Sequence, residues 1–141
     1  MSDVKEPSLV ELIDAVWRRV RAEMADEKVA EAPGLRPSQL RVLGRTPVEG
    51  ARGSELAART QMTAQALGTI VDVLVHAGYL ERVPDPADRR AKLIRLTARG
   101  RVVHDIAEDK IDRLEQRWRD ELGDNDWRAF RTVLTRLAHR S

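Results

Sequence analysis

The chain has 141 residues, no cysteine and a net charge of only +2, although 34% of its residues are charged. This length suits a single domain, and the lack of cysteine excludes disulfides, thiolate metal sites and redox sensing through a thiol. Because acidic and basic residues nearly cancel, a surface for nucleic acid has to come from local separation of charge. The N-terminal residues include acids and no apolar stretch approaches the length of a membrane span, so we expect a cytoplasmic protein without membrane contact.

The first part of the chain predicts two helices. Apolar residues recur every three or four positions from Leu9 to Met24, which is typical of a helix with one apolar face, and Ser8 is a suitable cap. A break follows at residues 32–34. Pro37 then suits the first turn of a short helix that ends before residues 46–50.

Two compact helices and a hairpin are predicted next. The helices cover Ser54–Arg59 and Thr63 to about Ala77, and Gly78 ends the second of them. Runs rich in branched residues predict strands at Tyr79–Val83 and Lys92–Thr97. The residues between them, 84–91, are too many for a tight turn, so we expect a hairpin with an extended loop.

The last part of the chain predicts a long helix after Thr97 and a final helix beyond the break at Gly123. The expected fold is therefore mainly α with a small β-hairpin wing. A winged helix-turn-helix region over residues 35–99 is flanked by N-terminal (1–34) and C-terminal (100–141) dimerisation helices, and all three parts form one structural domain.

A short helix, a turn of about three residues and a second helix can place the second helix in the major groove of DNA. The hairpin that follows carries a local excess of positive charge: seven basic and two acidic residues lie between positions 82 and 101. Such separation of charge in a nearly neutral protein is what attraction to phosphate requires. These features predict binding to double-stranded DNA, and the alternative is a solvated hairpin that is merely rich in arginine.

The sequence resembles the MarR family of bacterial transcriptional regulators. The resemblance is carried by four stretches, namely Ser54–Ala58, Gly78–Arg82, Asp85–Lys92 and Leu96–Gly100. It implies a homodimer in which the first, fifth and sixth helices of two subunits interlock, and in which each winged region binds half of a palindromic site. The apolar faces of the terminal helices favour a dimer independently, because a second copy of these helices covers them more fully than a small winged domain does; the alternative is a monomer with these helices folded back.

The predicted recognition helix departs from the family pattern, because its first half contains no basic residue. Thr63, Gln65 and Thr69 are the side chains left to contact base edges. Ser54 and the main-chain N–H groups around it are candidates for a phosphate contact.

We therefore expect affinity to depend on the wing, through Arg89, Arg90 and Lys92. By resemblance to the family, one of the two arginines could instead brace the wing by pairing with Asp88 or Asp72.

Many relatives release DNA when a small aromatic compound binds in a crevice between the winged and dimerisation regions. In this sequence Trp17, Met24 and Leu43 are candidates to line such a pocket, although an ordinary core or interface role is the more common one for an aromatic residue. The resemblance implies the class of mechanism and leaves the effector open.

Neither a metal site, a cofactor nor a catalytic site is expected. His104 and Glu108 stand one helical turn apart, but two ligands make a poor metal site. No nucleophile with a base, glycine-rich phosphate loop or carboxylate cluster is present, so we predict that the protein is not an enzyme. Two other function classes stay open: a dimeric interaction or ligand-binding protein of this fold that has lost specific DNA binding, and an enzyme that acts on a small molecule in the crevice.

Overall fold

A computed structural model describes residues 6–25 and 32–140 of the chain. These residues form helices and one antiparallel hairpin, in the order α1 (Leu9–Ala25), α2 (Pro37–Arg45), α3 (Gly53–Thr60), α4 (Ala64–His76), β1 (Leu80–Asp85), β2 (Asp88–Leu96), α5 (Ala98–Leu122) and α6 (Asp124–Ala138). The expected fold class, mainly α with a β-hairpin wing, is confirmed. None of the helices in the described residues is long and apolar enough to span a membrane.

Two compact units make up the described residues. One consists of residues 32–109 and contains α2, α3, α4 and the hairpin; we call it the winged unit. The other consists of residues 6–25 and 110–140 and contains α1, the second half of α5, and α6; we call it the terminal unit.

Several helix boundaries follow from local chemistry that the sequence already displays. Ser8 caps α1, since its Oγ accepts from the N–H of Glu11 at 3.3 Å while the Glu11 carboxylate accepts from the N–H of Ser8 at 2.7 Å. Pro37 occupies the first turn of α2. Thr97 caps α5, because its Oγ1 accepts from the N–H of Gly100 at 3.1 Å.

The predicted extended loop over residues 84–91 is wrong. The two strands of the wing continue to Asp85 and begin again at Asp88, so that only Pro86 and Ala87 connect them. The Asp85 carboxylate accepts a hydrogen bond from the N–H of Ala87 at 2.9 Å, which stabilises this tight connection.

Three of the residues predicted for the loop, 89–91, lie instead in a bulge on β2. Regular pairing ends where Pro84 faces Lys92 and resumes where Asp85 faces Asp88. The residues of 89–91 are therefore left outside the ladder. A bulge of this kind interrupts the alternation of side chains along a strand and bends it, so the pattern of apolar and polar residues gives no sign of a strand here.

The core of the winged unit draws apolar side chains from each of its elements. The chain between α2 and α3 pairs with β2 at a single bridge, where Ala51 and Ile94 exchange main-chain hydrogen bonds of 3.0 and 2.8 Å. The largest fully buried side chains are Val42, Leu43, Leu56, Leu67, Val71, Leu74, Leu80 and Val103.

The terminal unit has a smaller buried core and a polar cluster. Leu114 and Trp127 are buried, and Phe130 lies 6.2 Å from the Trp127 ring. Glu23 accepts hydrogen bonds from the Trp118 indole N–H at 3.2 Å and from Arg117 at 2.6 Å. The indole N–H, followed by the two arginines at Arg117 and Arg19, holds the pKa of the Glu23 carboxyl below its ordinary value.

The start of α5 lies directly against the turn that ends α4. Gly78 takes a left-handed conformation (φ +81°), and the main-chain N–H of Thr97 donates to the Tyr79 carbonyl at 3.1 Å. A Cβ added to Gly100 would lie 1.9 Å from that same carbonyl oxygen, a distance that no carbon can adopt. Glycine at position 100 is therefore required for α5 to begin where it does.

We expect Gly100→Ala to lower the free energy of unfolding by ~2 kcal/mol or more, since two main-chain segments must separate to admit the methyl group. Gly68→Ala is the matched control: it lies within α4, where an added Cβ meets nothing within 4 Å, so the substitution should raise stability by about 0.5–1 kcal/mol. Urea denaturation of the three proteins measures both effects, and equal stabilities would contradict this account of the junction.

Candidate nucleic-acid interface

The helix-turn-helix consists of α3, the turn at residues 61–63 and α4. Gln61 takes the left-handed conformation (φ 55°) at the end of α3, and the N–H of Met62 donates to the Ala57 carbonyl at 3.0 Å. Thr63 caps α4, because its Oγ1 accepts from the N–H of Ala66 at 3.1 Å. The two predicted helices and the turn of three residues are confirmed.

The three candidate base-contacting residues are all exposed at the start of α4, but their hydrogen-bonding capacities differ. Thr63 uses one lone pair of its hydroxyl in the cap and keeps its proton. The hydroxyl of Thr69 donates to the main-chain carbonyl of Gln65 at 3.2 Å. Within the described chain the Gln65 amide has no hydrogen-bond partner, so both its donor and its acceptor are free.

Ser54 lies in the first turn of α3 and is exposed. The helix begins at Gly53, one residue earlier than predicted. The first N–H groups of a helix have no partner within it, so this turn offers donors of the kind that a phosphate oxygen accepts. The contact itself stays a prediction.

The wing residues Arg89, Arg90 and Lys92 are exposed, and the two arginines lie in the bulge on β2. The main-chain N–H of Arg90 donates to the Asp88 carboxylate at 3.0 Å, which orders the bulge. As far as the chain is described, none of the three side chains has a hydrogen-bond or ion-pair partner. Their positive charges are therefore available to a ligand.

The other basic residues of the hairpin region have intramolecular partners. Arg82 pairs with Asp72 at 2.5 Å and Arg95 pairs with Glu81 at 2.7 Å. Arg99 lies 4.2 Å from the centre of the Tyr79 ring. Acidic side chains neutralise Arg82 and Arg95, and Arg99 is held against a ring, so the unpaired positive charge of this segment is concentrated at the bulge and at the neighbouring Lys92.

The suggestion that Arg89 or Arg90 braces the wing is wrong in this structure. Asp72 pairs with Arg82 instead, and Asp88 accepts from a main-chain N–H rather than from an arginine side chain. The sequence analysis named Asp72 as one of two possible acceptors, but its donor is Arg82, which lies on β1.

A second bracing contact, between Arg52 and Asp85, was missed by the sequence analysis. Nε and Nη2 of Arg52 each lie 2.8 Å from Oδ2 of Asp85, whose side chain is 10% exposed. The N–H of Ala87, followed by the Arg52 guanidinium, lowers the pKa of the Asp85 carboxyl below its ordinary value of 3.8. Arg52 precedes α3, so this pair connects the turn of the wing to the helix-turn-helix. The partners are 33 positions apart, so no local signal in the sequence indicates the pair.

The residues proposed to line a ligand pocket lie in different environments. Leu43 is fully buried in the core of the winged unit, so in this structure it has no surface to offer a ligand. Trp17 is 54% exposed on α1, and Met24 on the same helix is half-buried. A role of these residues in ligand binding stays a prediction.

His104 takes part in the core rather than in a metal site. It is buried, its Nδ1 lies 3.1 Å from the Leu43 carbonyl oxygen, and its Nε2 lies 3.7 Å from Glu108. No group of three potential metal ligands occurs among the described residues.

Comparison with known proteins gives one family and many related structures. Residues 34–91 match the model of the MarR family. CouR from Rhodococcus jostii RHA1, solved with p-coumaroyl-CoA, is 27% identical with a TM-score of 0.80, over 99% of this chain and 98% of that one. A MarR-family transcriptional regulator from Rhodococcus sp. RHA1 is 26% identical with a TM-score of 0.74, over 99% of each chain. The repressor CouR on a 23-mer DNA duplex has the same fold, at 23% identity and a TM-score of 0.73, over 98% of this chain and 100% of that one. No curated protein sequence matches the chain.

The Arg52–Asp85 pair predicts a pH dependence of stability. Because folding lowers the pKa of Asp85, its contribution to stability is complete above the ordinary value of 3.8 and is lost as the pH falls through the lower value in the folded protein. Asp85→Asn removes this contribution, so the difference in unfolding free energy between wild type and variant should be constant near neutral pH and shrink below about pH 4.

Chemical denaturation of wild type and Asp85→Asn across this pH range measures the effect. Asp88→Asn is the control, since Asp88 is exposed and an amide can accept the same main-chain hydrogen bond. A difference between wild type and Asp85→Asn that grew on acidification would show that the carboxylate does not stabilise the fold.

Proposed function

We propose that this chain, which belongs to the MarR family of winged-helix proteins, is a transcriptional repressor that binds a palindromic site in double-stranded DNA as a homodimer. The observation that carries the proposal is the free positive charge of Arg89, Arg90 and Lys92 on the wing of a helix-turn-helix unit. An arginine that is already paired must give up its partner to contact a phosphate. These three side chains are available without that loss.

The charge distribution supports a division of roles between wing and helix. The wing supplies contacts to phosphates or to the minor groove, which do not depend on sequence and are sensitive to salt. The exposed residues Thr63, Gln65 and Thr69 of α4 contact base edges in the major groove, and Ser54 at the start of α3 contacts a phosphate.

The terminal unit supports a homodimer formed through the segments 1–34 and 100–141. It leaves many large apolar side chains exposed in the single chain, which is unusual for a monomeric soluble protein. A second copy of the same helices would cover them around a two-fold axis, and the same axis would present two recognition helices to the two halves of an inverted repeat. The exposed apolar residues are Leu9, Val10, Leu12, Ile13, Val16 and Trp17 on α1, Ile111 and Leu122 on α5, and Val133, Leu134 and Leu137 on α6.

The proposal includes release from DNA by a small aromatic effector. The similar protein CouR was solved with p-coumaroyl-CoA, an aromatic acyl thioester. On α1, Trp17 and Met24 have accessible surface of the apolar kind that an aromatic group favours.

One observation favours a second function, that of a dimeric interaction or ligand-binding protein. This observation is that α4, the helix that would enter the major groove, contains no lysine or arginine. Such a protein would bind random and selected duplexes with similar affinity, whereas a regulator should bind its specific site at least about a thousandfold more tightly at physiological salt.

Selection of duplexes from a random pool tests the proposal. We expect enrichment of an inverted repeat whose half-sites lie one turn of DNA apart, followed by tight binding of the dimer. The variant Leu134→Glu places a charge on the exposed apolar face of α6 and should give a monomer that enriches no repeat, as sedimentation and a second selection would show. Thr132→Glu, a nearby exposed polar position on the same helix, is the control and should behave as the wild type. Enrichment of no sequence by the wild type would refute specific DNA binding.

The wing arginines make a separate prediction about salt. Arg89→Gln and Arg90→Gln should each weaken binding to specific and random duplexes alike, and each should reduce the slope of log affinity against log salt by about one per protomer. Arg95→Gln is the control, because Arg95 lies on the same strand but is already paired with Glu81. Fluorescence anisotropy titrations at several salt concentrations measure the slopes, and an equal loss of slope in all three variants would contradict the special role of the bulge.

A further inference from the structure

We infer that α4 recognises its half-site mainly through the methyl groups of thymines, with Gln65 contacting a single adenine. The inference rests on the proposed DNA-binding function and adds the chemistry of the bases that the helix selects. It follows from the shape, hydrogen-bonding capacity and charge of the exposed side of α4.

The exposed surface at the start of α4 consists mostly of methyl groups. Ala64 and Ala66 are exposed and end at Cβ. At Gly68 an added Cβ would meet nothing within 4 Å, so the helix is thin at this point and can approach another surface closely. Thr69 adds a methyl group whose neighbouring hydroxyl already donates to the Gln65 carbonyl.

The hydroxyl groups on this surface already take part in hydrogen bonds within the protein. The cap occupies one acceptor of Thr63, and the helix accepts the proton of Thr69. Gln65 alone among the three keeps a free donor and a free acceptor side by side, in an arrangement that matches N6 and N7 of adenine. The helix therefore offers one bidentate contact per protomer.

The charge of α4 excludes the usual contacts to G·C pairs. A bidentate guanine contact needs arginine or lysine, and α4 contains neither. A carboxylate could accept from the amino group of cytosine, but Asp72, the acid of this helix, pairs with Arg82 at 2.5 Å. The remaining feature by which the major groove distinguishes base pairs is the C5-methyl group of thymine, which apolar side chains contact.

The energy available from such contacts is sufficient for selectivity. Burying one methyl group changes affinity by about fourfold. A dimer that contacts two thymines in each half-site would then prefer them by on the order of a hundredfold, before the contribution of Gln65 is added.

Replacement of thymine by deoxyuridine in the selected duplex tests the inference. This change removes the methyl groups and keeps the base pairs and phosphate charges. We expect the affinity of the wild type for the specific duplex to fall by on the order of a hundredfold, while binding to a random duplex with the same replacement is unchanged. Equal affinity for the thymine and deoxyuridine forms of the specific duplex would overturn the inference.

The wing provides the matched control for this experiment. The double variant Arg89→Gln/Arg90→Gln should bind more weakly overall but lose the same factor on replacement by deoxyuridine, because the wing does not contact the methyl groups of the major groove. A factor that disappears in the double variant would assign the effect to the wing and overturn the assignment to α4.

A second arm isolates Gln65. Replacement of adenine by 7-deazaadenine removes the N7 acceptor, and we expect the wild type to lose about tenfold in affinity while Gln65→Ala loses nothing further. Gln116→Ala, a glutamine of the terminal unit, is the control variant and should respond as the wild type does. A loss in Gln65→Ala as large as in the wild type would exclude Gln65 from the contact.

Failure of this inference is distinguishable from failure of the proposed function. If selection enriches no duplex, specific DNA binding itself is refuted. If a duplex is enriched and binds equally well in its deoxyuridine form, the protein is a DNA-binding regulator that recognises its site by other contacts.

Discussion

Polar contacts that fix the wing to the helix-turn-helix determine which basic side chains of this molecule have no acidic partner. Arg52 holds the turn of the wing through Asp85, and Arg82 holds β1 against α4 through Asp72. Each ion pair occupies one arginine, which is then not available to bind a polyanion. The bulge on β2 carries Arg89 and Arg90 outside the ladder and away from such partners, so the arrangement that stiffens the hairpin also exposes its charge at one place.

Separation of affinity from selectivity follows from this arrangement. Contacts to phosphates supply most of the binding energy of a basic wing and carry no direct information about sequence. The recognition helix has the opposite character, since it is uncharged over its first half and presents small side chains around one free amide at Gln65. In the DNA complex that we propose, specificity comes from the close fit of α4 and attachment comes from the charge of the wing, so the two properties belong to different elements.

Sequence reasoning predicted most of the fold because most of it is encoded locally. Ser8, Pro37 and Thr97 act on the residues next to them, and the apolar periodicity of α2, α3 and α4 shows the face that each helix buries. The order of elements followed from the same local patterns, and it agrees with the family that the sequence resembles. These local patterns could not supply the register of the hairpin, because a shift of three residues after Pro84 destroys the alternation that reveals a strand.

The sequence predicted which side chains of the candidate site lie on the surface. It did not predict which charged side chains pair with one another. Gln65, Arg89 and Arg90 are polar residues on exposed turns of known elements, and the structure places them on the surface. The partners of Asp72 and Asp85 depend on contacts across many residues of chain, which no local pattern encodes. Leu43 illustrates the same limit, since an apolar residue looks alike in a sequence whether it fills a core or lines a cavity.

The aromatic residues are distributed unequally between the two units, and this determines what the fluorescence of the protein reports. The three tryptophans of the chain, Trp17, Trp118 and Trp127, belong to the terminal unit, and the winged unit has Tyr79 in their place. Intrinsic fluorescence excited at the red edge of the absorption band therefore reports on the terminal unit alone, and an optical label on the hairpin would report on the winged unit as an independent signal in the same cuvette.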